Sequence, residues 1–186
     1  MDLPPESTTR LRALSELPAL AERAADLLRT PQTLLPLNAQ ESAQVVAHMG
    51  LISYAAGAVV LREGEGSRSA HMLLLLQGEV QVDVHGSGPE EDLSLSVLGP
   101  GSIIGEMSLL DGAPRMATCT AMSAVTAAAL TRKGLEVLIE QHPRTAAKLL
   151  LGVAQRLADR LRALSQHTQM YAKLAADANS RFGEGP

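Results

Sequence analysis

Apolar residues fall into three successive regimes along the chain, and each predicts a different kind of element. From about Thr9 to Arg29 they recur at three- and four-residue spacing, at Leu11, Leu14, Leu17, Ala21, Ala24 and Leu28, which predicts a helix with one apolar face. Pro18 lies inside that span and is expected to kink or split it, because proline lacks an N–H donor and crowds the preceding turn. Thr30-Pro31 and Leu35-Pro36 mark the helix end and a connector. Asn38 then reads as an N-cap with Glu41 at the capping-box position, so a second short helix is expected to run to about Met49, before Gly50.

The texture changes between Leu51 and Leu130, where short β-branched and apolar runs are broken by Gly, Pro, Ser and Asp at close intervals. Eight strands are predicted: Ile52–Tyr54, Val59–Arg62, Ala70–Gln77, Glu79–His85, Asp92–Leu98, Ile103–Ile104, Ala117–Ala121 and Ala124–Thr131. The segment Val84–Asp92, rich in Gly, Ser and acid, reads as a hairpin tip. So many short strands in so few residues predict a mainly β fold, a jelly-roll or closed β-sandwich with flanking helices.

Beyond Lys133 the helical period returns. A short helix through about Gln141 is followed by Pro143, a first-turn proline that opens a much longer helix to about Ala178. Leu150, Val153, Leu157, Leu161, Leu164, Thr168, Tyr171 and Ala175 form a near-heptad seam along it. Such a seam packs either on the chain's own β-domain or on the same helix of a second copy, which is the expected homodimer. The resulting division is an N-terminal tail and amphipathic helix over 1–36, a β-roll over 37–142, a long lid or dimer helix over 143–178, and a tail over 179–186.

Composition narrows the function. A formal charge of −4 across 186 residues argues against a broad phosphate-binding surface, so direct DNA binding is not expected. The aromatic residues are Tyr54, Tyr171 and Phe182, too few for base-stacking platforms, and the core is expected to be aliphatic. Cys119 stands alone, which suits a reducing, cytoplasmic setting. The first ten residues lack the apolar core of a signal peptide and no run reaches the length of a membrane span, so no membrane partner is expected. His48, His71, His85, His142 and His167 include no closely spaced ligand pair, which disfavours a metal-dependent jelly-roll enzyme. No nucleophile-elbow sequence is present, and no catalytic residue or cofactor is assigned.

The chemistry concentrates in the segment Ile104-Gly105-Glu106-Met107-Ser108-Leu109-Leu110-Asp111-Gly112-Ala113-Pro114-Arg115-Met116-Ala117-Thr118. Gly105 permits a backbone conformation closed to other residues, and Glu106 to Leu110 can form one short helical turn with outward N–H groups. Asp111-Gly112 and Pro114 make a turn that can return Arg115 to the same cavity. A guanidinium fork suits a phosphate, and an ionised carboxylate suits a sugar hydroxyl.

This segment resembles the phosphate-binding cassette of the cyclic-nucleotide-binding domain family nearly position by position. Tyr54 to Glu65, Leu74 to Val80 and Leu98-Gly99-Pro100-Gly101 resemble the family's first strands, its second glycine turn and the turn entering the cassette. The resemblance covers about Leu37 to Arg162. It implies that Glu106 accepts from a ribose 2′-hydroxyl, that Arg115 pairs with the cyclic phosphate, and that backbone N–H groups around Met107 to Ser108 and at Ala117 complete the cradle. Val82, Leu95 and Ser96 match positions on the pocket wall. A surface ion pair between Glu106 and Arg115, worth about 0–1 kcal/mol, is the plainer alternative and leaves the other matches unexplained.

Met116 departs from the family pattern, where a Thr hydroxyl at that position goes with guanine preference; it either touches the base or points into the core. That departure favours cAMP over cGMP. The resemblance also places Gln155, Arg156, Asp159 and Arg160 near the lid, where Arg156 and Arg160 can stack on a base or bond guanine, which keeps cGMP and a cyclic dinucleotide open. A solvated helix face is the alternative for these four. Too few residues follow the long helix for the helix-turn-helix that relatives carry, so the expectation is a stand-alone sensor signalling to an effector protein. A degenerate module serving as a dimerisation scaffold is the competing class.

Overall fold

The structure, a computed structural model, describes residues 12–29, 34–66, 70–85 and 92–182. The chain begins with a two-residue strand, β1 (Arg12–Ala13), a single 3-10 turn over Leu14–Glu16, α1 (Pro18–Leu28) and α2 (Ala39–Ala47). The β region follows as β2 (Met49–Tyr54), β3 (Val59–Leu61), β4 (His71–Gln77), β5 (Val80–His85), β6 (Asp92–Leu98), β7 (Ile103–Ile104), the short α3 (Glu106–Asp111), β8 (Thr118–Ala121) and β9 (Val125–Thr131). Two helices close it, α4 (Arg132–Gln141) and α5 (Pro143–Phe182).

All eight expected strands are present, joined by β1. They form two antiparallel sheets, ordered β1-β2-β9-β4-β7 and β3-β8-β5-β6. The core lies in two layers that the alternation of β4 and β9 explains. Met72, Leu74, Leu76, Ala128 and Leu130 point toward the helices, while Leu73, Leu75, Ala127 and Ala129 point between the sheets. Both faces of these strands are covered, so they read as continuous apolar runs instead of alternating ones. The core is aliphatic, as expected.

Three helix boundaries differ from the sequence reading. The helix expected over Thr9–Arg29 begins at Pro18, and the preceding residues pair with β2 or turn. Pro18 occupies the first turn, where its missing N–H costs nothing, so it starts the helix and does not kink it. Leu11 and residues 1–8 lie outside the described residues, as does most of the expected hairpin tip. α2 ends at Ala47, and Met49 enters β2 opposite Leu130, because a six-residue ladder to β9 captures it. α5 runs four residues past Ala178, to Phe182, and its 40 residues extend about 60 Å.

α2 carries the complete capping box. Asn38 Oδ1 accepts from Glu41 N at 2.8 Å, and Glu41 Oε2 accepts from Asn38 N at 2.8 Å. The same carboxylate lies 2.7 Å from Lys148 Nζ on α5, with both side chains mostly buried. Hydrogen bonding from Lys148 and then from the Asn38 backbone holds the Glu41 carboxyl below its usual value near 4.5. A depressed carboxylate stabilises the fold above its unfolded pKa and loses that contribution as pH falls through the folded value. Thermal melts at pH 7 and pH 3.5 are therefore expected to show a smaller acid-induced loss in Lys148→Gln than in the wild type, with the neutral-pH difference accounting for the gap.

Candidate functional site

β7 ends at Ile104, and the chain then turns through Gly105, whose φ of +75° lies in the left-handed region, to start α3 at Glu106. A Cβ on Gly105 would sit 2.5 Å from Arg115 Nη1 and 2.9 Å from the His71 carbonyl oxygen, so glycine is required by space as well as by backbone angle. Gly105 also brings no side chain to cap α3, which leaves the first-turn N–H groups without a side-chain acceptor from that residue.

The loop after α3 returns as the sequence implies. Asp111 Oδ1 accepts from Ala113 N at 2.8 Å, closing a turn, and Gly112 takes a left-handed conformation. Arg115 then exchanges backbone bonds with the turn after β3: its N–H donates to Glu65 O at 3.1 Å, and its carbonyl accepts from Gly64 N at 2.9 Å. Its side chain turns inward, 9% exposed, and Nη1 donates to Gly105 O at 2.8 Å and to His71 O at 3.0 Å. Among the described residues its other two nitrogens have no hydrogen-bond acceptor, and the guanidinium makes no ion pair. Burial depresses the Arg115 pKa, while Glu65, Cys119, Tyr54 and Glu106 act in the opposite direction.

Glu106 is 5% exposed, so the site is not a surface ion pair. Its Oε1 accepts from Arg160 Nη1 on α5 at 2.7 Å, and the same guanidinium donates through Nη2 to Ile103 O at 2.9 Å. One turn earlier on α5, Arg156 Nη1 donates to Gly101 O at 3.3 Å, and burial depresses its pKa, with Arg160 adding to the effect. Arg160 thus contacts the carboxylate of the cassette, and the solvated-face alternative holds for Asp159, which is exposed and pairs with Arg162. Gln155 accepts from Leu34 N at 2.9 Å.

The remaining expected residues divide by exposure. Ser108 is buried and its carbonyl accepts from Arg132 Nη2 at 3.2 Å; Met107 is 39% exposed. Met116 is 62% exposed, which rules out its pointing into the core. Ala117 is half-buried just before β8, Val82 is half-buried opposite Ser96 and Cys119, and Ser96 is exposed. The Leu95 side chain lies outside the described residues. Tyr54, Cys119 and Arg132 belong to the surroundings of the site and had no separate signal in the sequence, although Cys119 sits at an inward position of the alternating β8. Burial pushes the Cys119 thiol up to about 11 and the Tyr54 hydroxyl up to about 12, so both are neutral near pH 7.

No cluster of three metal-ligating side chains occurs among the described residues, and no helix among them is long and apolar enough to cross a membrane. Over 107 residues the chain is 30% identical to the CRP-like cAMP-activated global transcriptional regulator of Mycobacterium tuberculosis, covering 57% of this chain and 46% of that protein. The chain therefore matches less than half the length of that relative. The fold resembles the crystal structure of a cyclic nucleotide-binding domain from Methylobacillus flagellatus KT with a TM-score of 0.72 at 27% identity, covering 83% and 84% of the two chains. It also resembles the N-terminal domain of a transcriptional regulator from Streptomyces coelicolor A3(2), at TM-score 0.63 and 32% identity over 74% of this chain and 94% of that one. Residues 51–142 match the family model described as the cyclic nucleotide-binding domain, and with the two-sheet fold and the Gly105-to-Arg115 cassette they place this chain in the cyclic nucleotide-binding domain family.

Proposed function

We propose that this chain is a regulatory module that binds cAMP in preference to cGMP and signals to a partner protein, without catalysis. The observation that carries this reading is the buried Arg115. Its charge is held by two carbonyl oxygens, meets no carboxylate within ion-pair distance among the described residues, and has donors left over. A buried cation of this kind is stabilised by an anionic ligand. The cyclic phosphate meets Arg115 and the first-turn N–H groups of α3, and the ribose 2′-hydroxyl donates to Glu106. The base lies toward Met116, with Val82 and Ser96 along the wall.

Base preference follows from what the chain can offer. Met116 brings no hydroxyl to guanine, and Arg156 and Arg160, the residues able to reach its N7 and O6, are engaged on the cassette side. The long helix supplies the output. Val153 is buried and Leu150 and Leu157 pack partly against the core, whereas Leu161 is 65% exposed. The seam thus turns from intramolecular packing to an open apolar face at Leu161, and we assign the outer part to a second copy of the helix. Leu164, Thr168, Tyr171 and Ala175 continue that seam in the sequence, with side chains outside those described. A reducing, cytoplasmic setting suits the single, buried Cys119 and is part of the same proposal.

Calorimetric titration with cAMP, cGMP and a cyclic dinucleotide tests the reading. Saturable binding, tightest for cAMP, is the expected result. No heat with any of the three leaves the dimerisation scaffold as the better account. A cyclic dinucleotide that binds most tightly overturns the assignment of the base pocket.

A further inference from the structure

We infer that Met116 is an oxidation site at the edge of the ligand cavity: a hydroperoxide converts its thioether to a sulfoxide, and the sulfoxide weakens ligand binding. The inference rests on the reading above, that the base lies toward Met116.

The methionines whose side chains the structure describes fall into two classes. Met49 and Met72 are buried in the core, whereas Met107, Met116 and Met122 are exposed, Met116 most of all at 62% and Met122 next at 52%. The two most exposed sit in different places. Met122 follows β8, and its N–H donates to Glu79 O at 2.8 Å. The four residues of β8, about 13 Å of strand, separate it from the cassette end at Arg115 and Met116. Met116 directly follows Arg115, whose backbone is held on both sides, the N–H by Glu65 O and the carbonyl by Gly64 N. The start of residue 116 is therefore fixed beside the buried guanidinium while its side chain stays open to solvent.

The chemistry follows from the thioether. It is polarisable and nearly apolar, so it suits the flat face of a purine, and it fills that role in a chain with three aromatic residues. Its sulfur lone pair attacks one oxygen of the hydroperoxide. An S–O bond forms as the O–O bond breaks, the sulfur loses two electrons and the peroxide gains them. The proton on the transferred oxygen passes to the departing hydroxide or alkoxide, which leaves as water or alcohol. The product carries a strong acceptor oxygen where the reduced form offers an apolar contact, and covering that oxygen with a base that gives it no donor is unfavourable. Cys119 competes poorly for the oxidant, because it is buried and its thiol is pushed up to about 11, which leaves little of the reactive thiolate.

The test treats the protein with hydrogen peroxide, with and without saturating cAMP, maps added oxygen at each methionine by peptide mass spectrometry, and titrates cAMP by calorimetry. Met116 and Met122 are expected to oxidise ahead of Met49 and Met72, and bound cAMP to slow Met116 while leaving Met122 unchanged. Oxidised wild type is expected to bind cAMP roughly three- to tenfold more weakly, the worth of a sulfur–ring contact, and to recover after treatment with methionine sulfoxide reductases for both epimers. Met122→Leu should show the same loss, and Met116→Leu should keep whatever affinity it has before peroxide, with thermal melts confirming that both fold. A Met116→Leu variant that loses affinity to peroxide as far as the wild type moves the effect to another residue and overturns the inference. So does a Met116 that resists peroxide, that oxidises without change in affinity, or that oxidises equally fast with cAMP bound. Untreated wild type that does not bind cAMP overturns the ligand reading itself, a distinct outcome.

Discussion

Arg115→Ala is expected to lower cAMP affinity by a factor of about 30 to several thousand, the equivalent of about 2–5 kcal/mol for truncating one side of a buried charged contact. The size follows from where the guanidinium sits. At 9% exposure it has little water to turn to, and its two bonds to His71 O and Gly105 O orient the rest of the fork without neutralising it. Removing it takes away the anion's counter-charge and unpins the turn at Gly105 in one step. Stability should change far less than affinity, because two opposing terms meet there: two carbonyl oxygens lose a donor, while the desolvation that depresses the Arg115 pKa is relieved. Arg115→Lys should fall between, keeping the charge and losing the planar fork. Titration calorimetry with parallel thermal melts checks this, and an alanine variant that binds like the wild type would sink the proposed site.

The cassette was legible because each of its residues is forced by local chemistry. Gly105 answers to a positive φ and a crowded approach, Asp111 and Gly112 to a turn, and Arg115 to the end of that turn. The strands were legible from their breaks, and the capping box of α2 from its spacing. What sequence missed depends on contacts between distant segments. Pro18 reads as a kink if the helix is assumed to begin earlier; only the pairing of Arg12 and Ala13 with β2 shows that it begins at the proline. Arg156 and Arg160 look like any charged pair at helical spacing until α5 is laid against residues 101–106. Met116 gave two readings because alternation cannot be counted through an irregular loop, and its exposure excludes the one that pointed it into the core.

Those long-range contacts also define what holds α5 in place. α5 is anchored by Lys148 on Glu41, Thr145 on Gln44, Gln155 on Leu34 N, and Arg156 and Arg160 on the cassette entry. The first three fix its inner half to α2 and the connector, and the last two bring it to Gly101 O and the Glu106 carboxylate. A ligand shifts the position of α5 only by binding one arrangement of these contacts more tightly than another.

A second large effect is expected from Gly105→Ala, and its cause can be separated from general destabilisation. The left-handed backbone alone costs about 1–3 kcal/mol for a residue with a side chain. At this position the new Cβ also meets the His71 carbonyl at 2.9 Å, a backbone atom that cannot swing aside, and Arg115 Nη1 at 2.5 Å, which must move. Displacing that nitrogen breaks the two bonds that aim the guanidinium, so cAMP binding should fall at least as far as in Arg115→Ala, about 30-fold or more. Gly57 supplies the control. Its φ is +80°, but a Cβ there meets nothing within 4 Å. Gly57→Ala should therefore lose a comparable backbone term, lowering the melting temperature by several degrees, and still bind cAMP normally when titrated well below its melting point. If both alanine variants lose binding together, the effect is one of overall stability; if neither does, the close approach of Gly105 to Arg115 plays no part in holding the ligand.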